Sequence, residues 1–326
     1  MIAFLFPGQG SQKVGMGRAL ADSFAEARAT FDEADAAFTL GSVEEAGAET
    51  RVHPGSLSTL CFEGPEDQLM LTEYTQPAIL TVSIAAARVL AARGIRPDLV
   101  AGHSLGEYSA NVVAGTFSFG DAVRAVRRRG RYMQEAVPVG QGAMAAVLGL
   151  DVAAVRRACE DAAQGDVVGP ANINSPDQVV IAGSAAAVQR AGARAKALGA
   201  KRVVPLPVSA PFHCALMKPA EERLAPELRA LPVRDPRVPI VANVDAQPKR
   251  DGESAIDALV RQVSSPVLWE DIVQRLASEG VTTYVEVGSG RVLSGLVKKI
   301  RKDAQVCAFG APEELAAVEG ALASKK

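Results

Sequence analysis

The chain has 326 residues, of which 48% are hydrophobic and 22% are charged, and its formal net charge is −2. A chain of this size and composition can bury a large core without disulfides or metals, and its length corresponds to roughly two domains. The near-neutral charge gives no electrostatic basis for binding nucleic acid or an anionic membrane surface.

The cysteines and the N-terminal segment indicate in which cellular compartment the protein is expected. The four cysteines are Cys61, Cys159, Cys214 and Cys307. They form no C-x-x-C pair and no Cys/His cluster, so we expect reduced thiols in a cytoplasmic protein and no metal site. The apolar run at the N-terminus lacks a basic flank and is too short for a signal sequence. No apolar run reaches the ~20 residues of a membrane span, so no membrane segment is expected.

Short apolar runs alternate with helical patterns in the first third of the chain. In order, we predict a strand at Ile2–Phe6, a helix from Gly17 to Phe38, helices at Glu66–Leu71 and Gln76–Ala92, and a strand from Pro97 to Gly102. The segment Thr39–Glu63, with scattered Gly, Ser, Thr and Pro, is interpreted as a loop or insertion. This alternation predicts an α/β protein whose mostly parallel sheet carries helices on both faces.

The middle of the chain is a smaller block of strands and helices. Its predicted elements are Ala143–Leu148, Val152–Ala163, Val179–Ala182, Ala185–Leu198 and Lys201–Val208. We place a small subdomain at 139–208 and the large domain in two pieces, 1–138 and 209–326. After the subdomain, the alternation of strands and helices seen in the first third of the chain resumes. The predicted strands are Val238–Ala242 and Thr283–Val287, and the predicted helices are Ile256–Ser264 and Trp269–Glu279.

A candidate nucleophile lies between the second predicted strand and a helix. Gly102-His103-Ser104-Leu105-Gly106 fits the G-x-S-x-G pattern, in which a sharp turn pushes the serine hydroxyl out of the sheet. The Leu105 amide would then lie at a helix N-terminus and point at a developing oxyanion. The alternative is an ordinary tight turn between strand and helix.

A serine nucleophile needs a base, and the chain has three histidines. His103 adjoins Ser104, so its side chain should point away from the same face, and His53 lies in the irregular segment. His213 follows a predicted strand and is the best base by elimination, a capping or core histidine being the alternative. No Asp or Glu stands out as a third member, so backbone carbonyls should orient the imidazole.

Two further features suggest substrate contacts. The glycine-rich turn from Phe6 to Gln12 follows the first strand and can bring an N–H group close to a ligand, although a plain structural turn explains it too. It matches neither dinucleotide- nor nucleoside-triphosphate-binding fingerprints. Arg129 falls at the edge of the apolar stripe of a predicted helix, Asp121–Gln134. Its guanidinium would bind a substrate carboxylate, or else an internal carboxylate or solvent.

Together these motifs resemble the malonyl-CoA:acyl-carrier-protein transacylase family. The matching segments are Phe6–Gln12, Gly102–Ser109, Arg129-Gly130, Asn172–Pro176, His213–Met217, Asn243–Asp245 and Glu286–Gly288. They follow the family order over nearly the whole chain, which is more specific than any single motif. Thr39–Glu63 departs from the family pattern by its length and leaves the role of His53 open.

The resemblance implies a fold and a set of site residues. The fold is an α/β-hydrolase-like large domain with an inserted ferredoxin-like subdomain. Ser104 would be the nucleophile and His213 the general base and acid, with the amides of Gln9 and Leu105 forming the oxyanion hole. Arg129 would bind the malonyl carboxylate.

Two finer roles also follow from the resemblance. The backbone carbonyl of Gln262 would orient the histidine. The bulk of Phe212 would disfavour substrates with an α-methyl branch.

The implied activity is transfer of a malonyl group from coenzyme A to the phosphopantetheine thiol of an acyl carrier protein, for fatty-acid or polyketide synthesis. No permanently bound cofactor and no metal are implied, and we expect a cytoplasmic monomer. A thioesterase on the same G-x-S-x-G turn, and a non-catalytic module that docks carrier proteins, are the alternatives.

Overall fold

The computed structural model describes residues 1–43, 55–208 and 210–323, with the side chains of 40–43 left out. Its strands are β1 Ile2–Phe6, β2 Leu99–Gly102, β3 Gly142–Leu148, β4 Val168–Ser175, β5 Gln178–Ser184, β6 Arg202–Pro205, β7 Ile240–Val241, β8 Pro248–Lys249, β9 Thr283–Val287 and β10 Gln305–Phe309. Its α-helices are α1 Arg18–Ser23, α2 Ala25–Val43, α3 Leu57–Glu63, α4 Glu66–Leu69, α5 Thr72–Ala92, α6 Gly106–Ala114, α7 Phe119–Glu135, α8 Val152–Ala163, α9 Ala185–Ala197, α10 Lys218–Arg229, α11 Gly252–Gln262, α12 Trp269–Ser278, α13 Val292–Ile300 and α14 Leu315–Ala323.

The larger sheet is mostly parallel and has the strand order β10-β9-β1-β2-β7-β8. Strand β1 lies between β2 and β9 and is parallel to both, and only the short β8 pairs antiparallel. In this register Phe6 pairs with Gly102, so β1 and β2 end level with each other. The glycine-rich turn after β1 and the serine turn after β2 therefore start side by side at the carboxyl edge of the sheet, where open α/β sheets bind ligands.

The smaller sheet is antiparallel and has the order β4-β5-β3-β6. Its strands alternate with α8 and α9 in the ferredoxin-like sequence βαββαβ, and the two helices share a core cluster with it. The predicted fold, a mostly parallel α/β sheet with a second small sheet, is confirmed. The domain limits at 139 and 208 stay a prediction.

Helix α5 is the central helix of the core. By length and composition alone it could cross a membrane, but 83% of its most apolar stretch is buried inside the protein. It packs against α2 and α7, and these contacts account for its apolar composition.

Two expectations were wrong for the described residues. The helix predicted from Gly17 to Phe38 is broken at Phe24, and α2 continues to Val43. Within the segment interpreted as irregular, the residues after Gly55 form the buried helix α3, whose first turn is capped by the Ser56 hydroxyl. The rest of that segment, 44–54 with His53, lies outside the described residues.

Strand β4 was missed altogether. Its last residues are Asn172 to Ser175, and their side chains are typical of turns, so the residue pattern does not predict a strand here. Pairing with β5 along its length and burial of its second half outweigh that local preference.

Candidate active site

The turn Gly102–Gly106, here called the elbow, has a strained backbone at its serine. Ser104 has φ of 51°, in the left-handed region that side chains other than glycine rarely adopt. A Cβ on Gly102 would overlap the Gly106 backbone, and one on Gly106 would overlap the Phe6 carbonyl group. The two glycines therefore let the strand, the helix and the neighbouring turn approach closely enough to present the serine.

This packing predicts the effect of a substitution in the elbow. We expect Gly106→Ala to lower the free energy of unfolding by about 2–3 kcal/mol, because the added methyl group forces the turn after β1 away. Gly295→Ala in α13 is the matched control: no atom lies within 4 Å of its Cβ position, so we expect a gain of about 0.4–1 kcal/mol. Chemical denaturation of both variants measures the difference, and equal stabilities would contradict the packing.

His213 lies against the serine hydroxyl, although 109 positions separate them in the chain. The Ser104 Oγ and the His213 Nε2 are 2.7 Å apart. The His213 Nδ1 is 2.9 Å from the Gln262 carbonyl oxygen, an acceptor only, so Nδ1 carries the proton and Nε2 is free to accept one. Burial, and then the Arg129 charge, lower the pKa of His213 to about 3. The imidazole is therefore neutral at pH 7, as a general base must be.

Arg129 is fully buried beside the same hydroxyl. Its Nη2 donates to the Ser104 Oγ at 3.1 Å and to the Gln262 side-chain oxygen at 2.8 Å, and its Nη1 donates to Gln76 Oε1 at 2.7 Å. No carboxylate pairs with it within the described parts of the chain, and its Nε lacks a hydrogen-bond partner there. Burial lowers its pKa. Such a guanidinium suits an incoming carboxylate.

The turn after β1 lies against the elbow. A Cβ on Gly8 would reach the His103 carbonyl oxygen, so the turn and the elbow are in contact there. Among the hydrogen bonds of the described residues, neither the Gln9 amide nor the Leu105 amide donates to a protein acceptor. Both donors are therefore available to a ligand, and their role as an oxyanion hole stays a prediction.

Two side chains that the residue patterns do not single out, Glu107 and Asn243, hold Gln262 and Ser104 in position. The Glu107 carboxylate accepts from Gln262 Nε2 at 2.7 Å, so the Gln262 amide turns its oxygen toward Arg129. The Asn243 side-chain oxygen Oδ1 accepts from the Ser104 backbone N–H at 2.7 Å. The Asn243 backbone N–H in turn donates to the Glu107 carboxylate at 3.0 Å. Burial raises the pKa of Glu107 to about 7. The sequence signals for Glu107 are its place in the helix directly after the elbow and in the family-matching segment Gly102–Ser109.

The remaining candidates line the surroundings. His103 Nε2 is 2.9 Å from Asn174 Oδ1, and its ring packs 5.5 Å from that of Trp269, which agrees with a structural role. Phe212 is buried next to His213 and faces the site cavity. Its effect on α-branched substrates stays a prediction.

A cavity of about 540 Å³ opens over the serine, a volume that suits a small-molecule ligand. Ser104 and Arg129 line it from the turn after β2 and from α7, and His213 from the loop after β6, while Asn174 and Gln178 line it from the smaller sheet. The two sheets thus enclose one cleft. The described residues contain no group of three His, Cys, Asp or Glu side chains that could hold a metal ion.

Comparison with known proteins adds independent findings. Residues 3–311 match the acyl transferase domain family. The malonyl CoA-acyl carrier protein transacylase of Escherichia coli K12 is 51% identical over 316 residues, 97% of each chain, and that of Bacillus subtilis is 47% identical over 96% of this chain and 95% of its own.

Solved structures agree with these relatives. An acyl carrier protein S-malonyltransferase from Vibrio cholerae has a TM-score of 0.91 and 46% identity, covering 97% of this chain and 99% of its own. A malonyl-transacylase solved in complex with a type II polyketide-synthase acyl-carrier protein has a TM-score of 0.91 and 45% identity, covering 98% and 99%.

Proposed function

The chain belongs to the acyl transferase family, and we propose that it is a malonyl-CoA:acyl-carrier-protein S-malonyltransferase of fatty-acid or polyketide synthesis. Coenzyme A thioester and carrier-protein phosphopantetheine are its substrates, and no cofactor stays bound. One observation carries the assignment: the Ser104 hydroxyl lies 2.7 Å from a neutral imidazole and 3.1 Å from a buried guanidinium that has no carboxylate partner among the described residues. A nucleophile, a base and a carboxylate receptor thus meet at one oxygen.

The first half-reaction forms a malonyl-serine. His213 Nε2 takes the Ser104 proton as Oγ bonds to the thioester carbon, and the carbonyl oxygen becomes an oxyanion facing the Gln9 and Leu105 amides. When the tetrahedral intermediate collapses, the carbon–sulfur bond breaks and the imidazolium returns its proton to the coenzyme A sulfur. The Gln262 carbonyl holds the ring throughout by accepting from Nδ1.

The second half-reaction runs the same steps in reverse with another thiol. His213 removes the proton of the phosphopantetheine thiol, sulfur attacks the malonyl-serine carbonyl, and the released Ser104 oxygen recovers the proton. Arg129 binds the free malonyl carboxylate in both halves. Because this guanidinium is buried and has only neutral hydrogen-bond partners among the described residues, an acetyl group would leave its charge without a carboxylate, and that loss favours malonyl over acetyl.

Two competing functions fit the site less well. A hydrolase on the same elbow would use water as acceptor, and a carboxylate receptor beside the nucleophile adds nothing to general thioester hydrolysis. A docking module without catalysis would not need Ser104 and His213 in hydrogen-bonding contact. We further propose a cytoplasmic location, since all four cysteines are free thiols, as in reducing compartments, while the monomeric state stays a prediction.

Carrier dependence separates transfer from hydrolysis. We expect malonyl-CoA consumption beyond one equivalent of enzyme to require holo acyl carrier protein, because the acyl group on Ser104 is transferred to a thiol and not to water. The free coenzyme A released with and without carrier measures this. A turnover rate that does not change when carrier is added would identify a hydrolase instead.

A further inference from the structure

A second cavity, of about 710 Å³, lies at the opposite edge of the larger sheet from the elbow. It is lined by Pro97, just before β2, and by Val238, just before β7, whereas Ser104 follows the carboxyl end of β2. Helix α6 begins beside the elbow and ends at Ala114, next to the cavity residue Gly115. We call it the arginine cavity, and it has no part in the proposed reaction.

The floor of the arginine cavity is apolar. Ile84, Phe117 and Phe119 form part of its lining, and each is at most 5% exposed. Val112 and Val238 widen the apolar surface at its sides. A floor of this kind favours an aliphatic group over a strongly hydrated ion.

The lining carries an excess of positive charge. Its charged members are Arg88, Arg96, Arg234, Arg237 and Asp121. Within the residues that the structure describes, Arg96, Arg234 and Arg237 have no carboxylate within 4.0 Å.

The other two charged groups are already paired. Arg88 pairs with Glu33 at 2.7 Å, and the Asp121 carboxylate pairs with Arg124 at 2.6 Å. The rim charges without a carboxylate partner among the described residues are therefore all guanidinium groups, although Arg237 Nη2 donates to the Val113 carbonyl at 3.3 Å. Guanidinium groups match carboxylates and phosphates with two parallel hydrogen bonds.

The polypeptide holds this rim in place. The Arg234 amide donates to the Thr116 carbonyl and the Arg237 amide to the Ala114 carbonyl, both at 2.8 Å. The second bond also satisfies the carbonyl of the last residue of α6, at the negative end of that helix, which would otherwise repel an anion. The Thr116 hydroxyl is fully buried in the lining and has no hydrogen-bond partner among the described residues.

We propose that the arginine cavity binds a fatty carboxylate, with the aliphatic chain on the apolar floor and the carboxylate against Arg96 and Arg234. An anionic head with an apolar tail is the chemistry that satisfies both parts of the lining. A nucleotide would leave the floor without an aliphatic partner, and a neutral lipid would form no charged contact with the exposed arginines of the rim. The volume suits one small amphiphile rather than a protein segment.

Calorimetric titration with sodium dodecanoate, below its micelle concentration, tests the proposal on the full chain. We expect one binding site. We expect the double variant Arg96→Gln/Arg234→Gln to raise the dissociation constant by about tenfold or more, because charge-assisted hydrogen bonds are lost. Arg202→Gln/Arg229→Gln removes the same charge outside the cavity and should bind like the parent. Melting temperatures of both double variants confirm that they fold.

Two further arms identify the site and the chemistry. Arg129→Ala should bind dodecanoate normally, which separates this cavity from the active-site cleft. Dodecyltrimethylammonium, with the same chain and the opposite charge, should bind at least about tenfold more weakly. Absence of binding, loss of binding in Arg129→Ala alone, or equal affinity for the cationic amphiphile would each overturn the proposal.

Discussion

Replacing Arg129 with alanine is expected to reduce kcat/KM for malonyl transfer by ~30- to ~5,000-fold, which corresponds to the ~2–5 kcal/mol of a buried, hydrogen-bonded charge contact. The loss should fall on malonyl alone, because the malonyl carboxylate is the group that the guanidinium binds. Acetyl transfer should hold or improve, since an acetyl group no longer lies beside a buried guanidinium that it cannot neutralise. Competition between malonyl-CoA and acetyl-CoA for one carrier protein measures the ratio.

The control for this prediction lies on the same helix. Arg128→Ala removes a half-buried guanidinium that pairs with Glu227 outside the cleft, so the malonyl-to-acetyl ratio should not change. Equal losses for both acyl groups in Arg129→Ala would show that the residue supports the site without recognising the carboxylate.

Replacing His213 with alanine is expected to lower kcat between ~10²- and ~10⁴-fold for both half-reactions, because one imidazole serves both as base and as acid. His103→Ala should have a smaller effect, since its ring contacts Asn174 and Trp269 rather than the nucleophile. Stopped-flow release of coenzyme A reports the first half-reaction directly. A loss no larger than that of His103→Ala would remove His213 from the mechanism.

The pH profile belongs to the same prediction. The folded protein holds the pKa of His213 at about 3, so the imidazole stays a competent base as the pH falls through 6.5, where an ordinary histidine would protonate. A limb near pH 7 in kcat/KM that disappears in Glu107→Gln belongs to Glu107, whose pKa burial raises to about 7. A limb near 6.5 that persists in that variant would contradict a neutral buried imidazole.

Much of the framework could be predicted from local patterns. The strand, sharp turn and helix around Ser104 are visible because glycine spacing and apolar runs are local properties. Strand β4 was not visible, because its pairing partner and its burial outweigh the turn preference of Asn172 and Asn174. Without β4 the residue pattern of the middle block does not show the ferredoxin-like order of strands and helices, which is implied only by the family resemblance.

The site divides in the same way. Ser104 and His213 can be predicted as site residues from residue chemistry and by elimination, but their contact is visible only in the tertiary structure. Gln262 was assigned through family resemblance, since nothing in its own neighbourhood marks it. Glu107 and Gln76 act by orienting other side chains across distant elements, so the sequence offers no spacing rule that would find them. Networks of this kind become readable only when the chain is folded.

The malonyl-serine mechanism requires a covalent acyl group on the Ser104 hydroxyl, and intact-mass spectrometry measures that group directly. Mixed with malonyl-CoA without carrier protein, the parent chain should gain one malonyl group and lose it again when holo carrier protein is added. Ser104→Ala should gain nothing under the same conditions. An unmodified parent chain, or an adduct that persists in Ser104→Ala, would contradict the malonyl-serine mechanism.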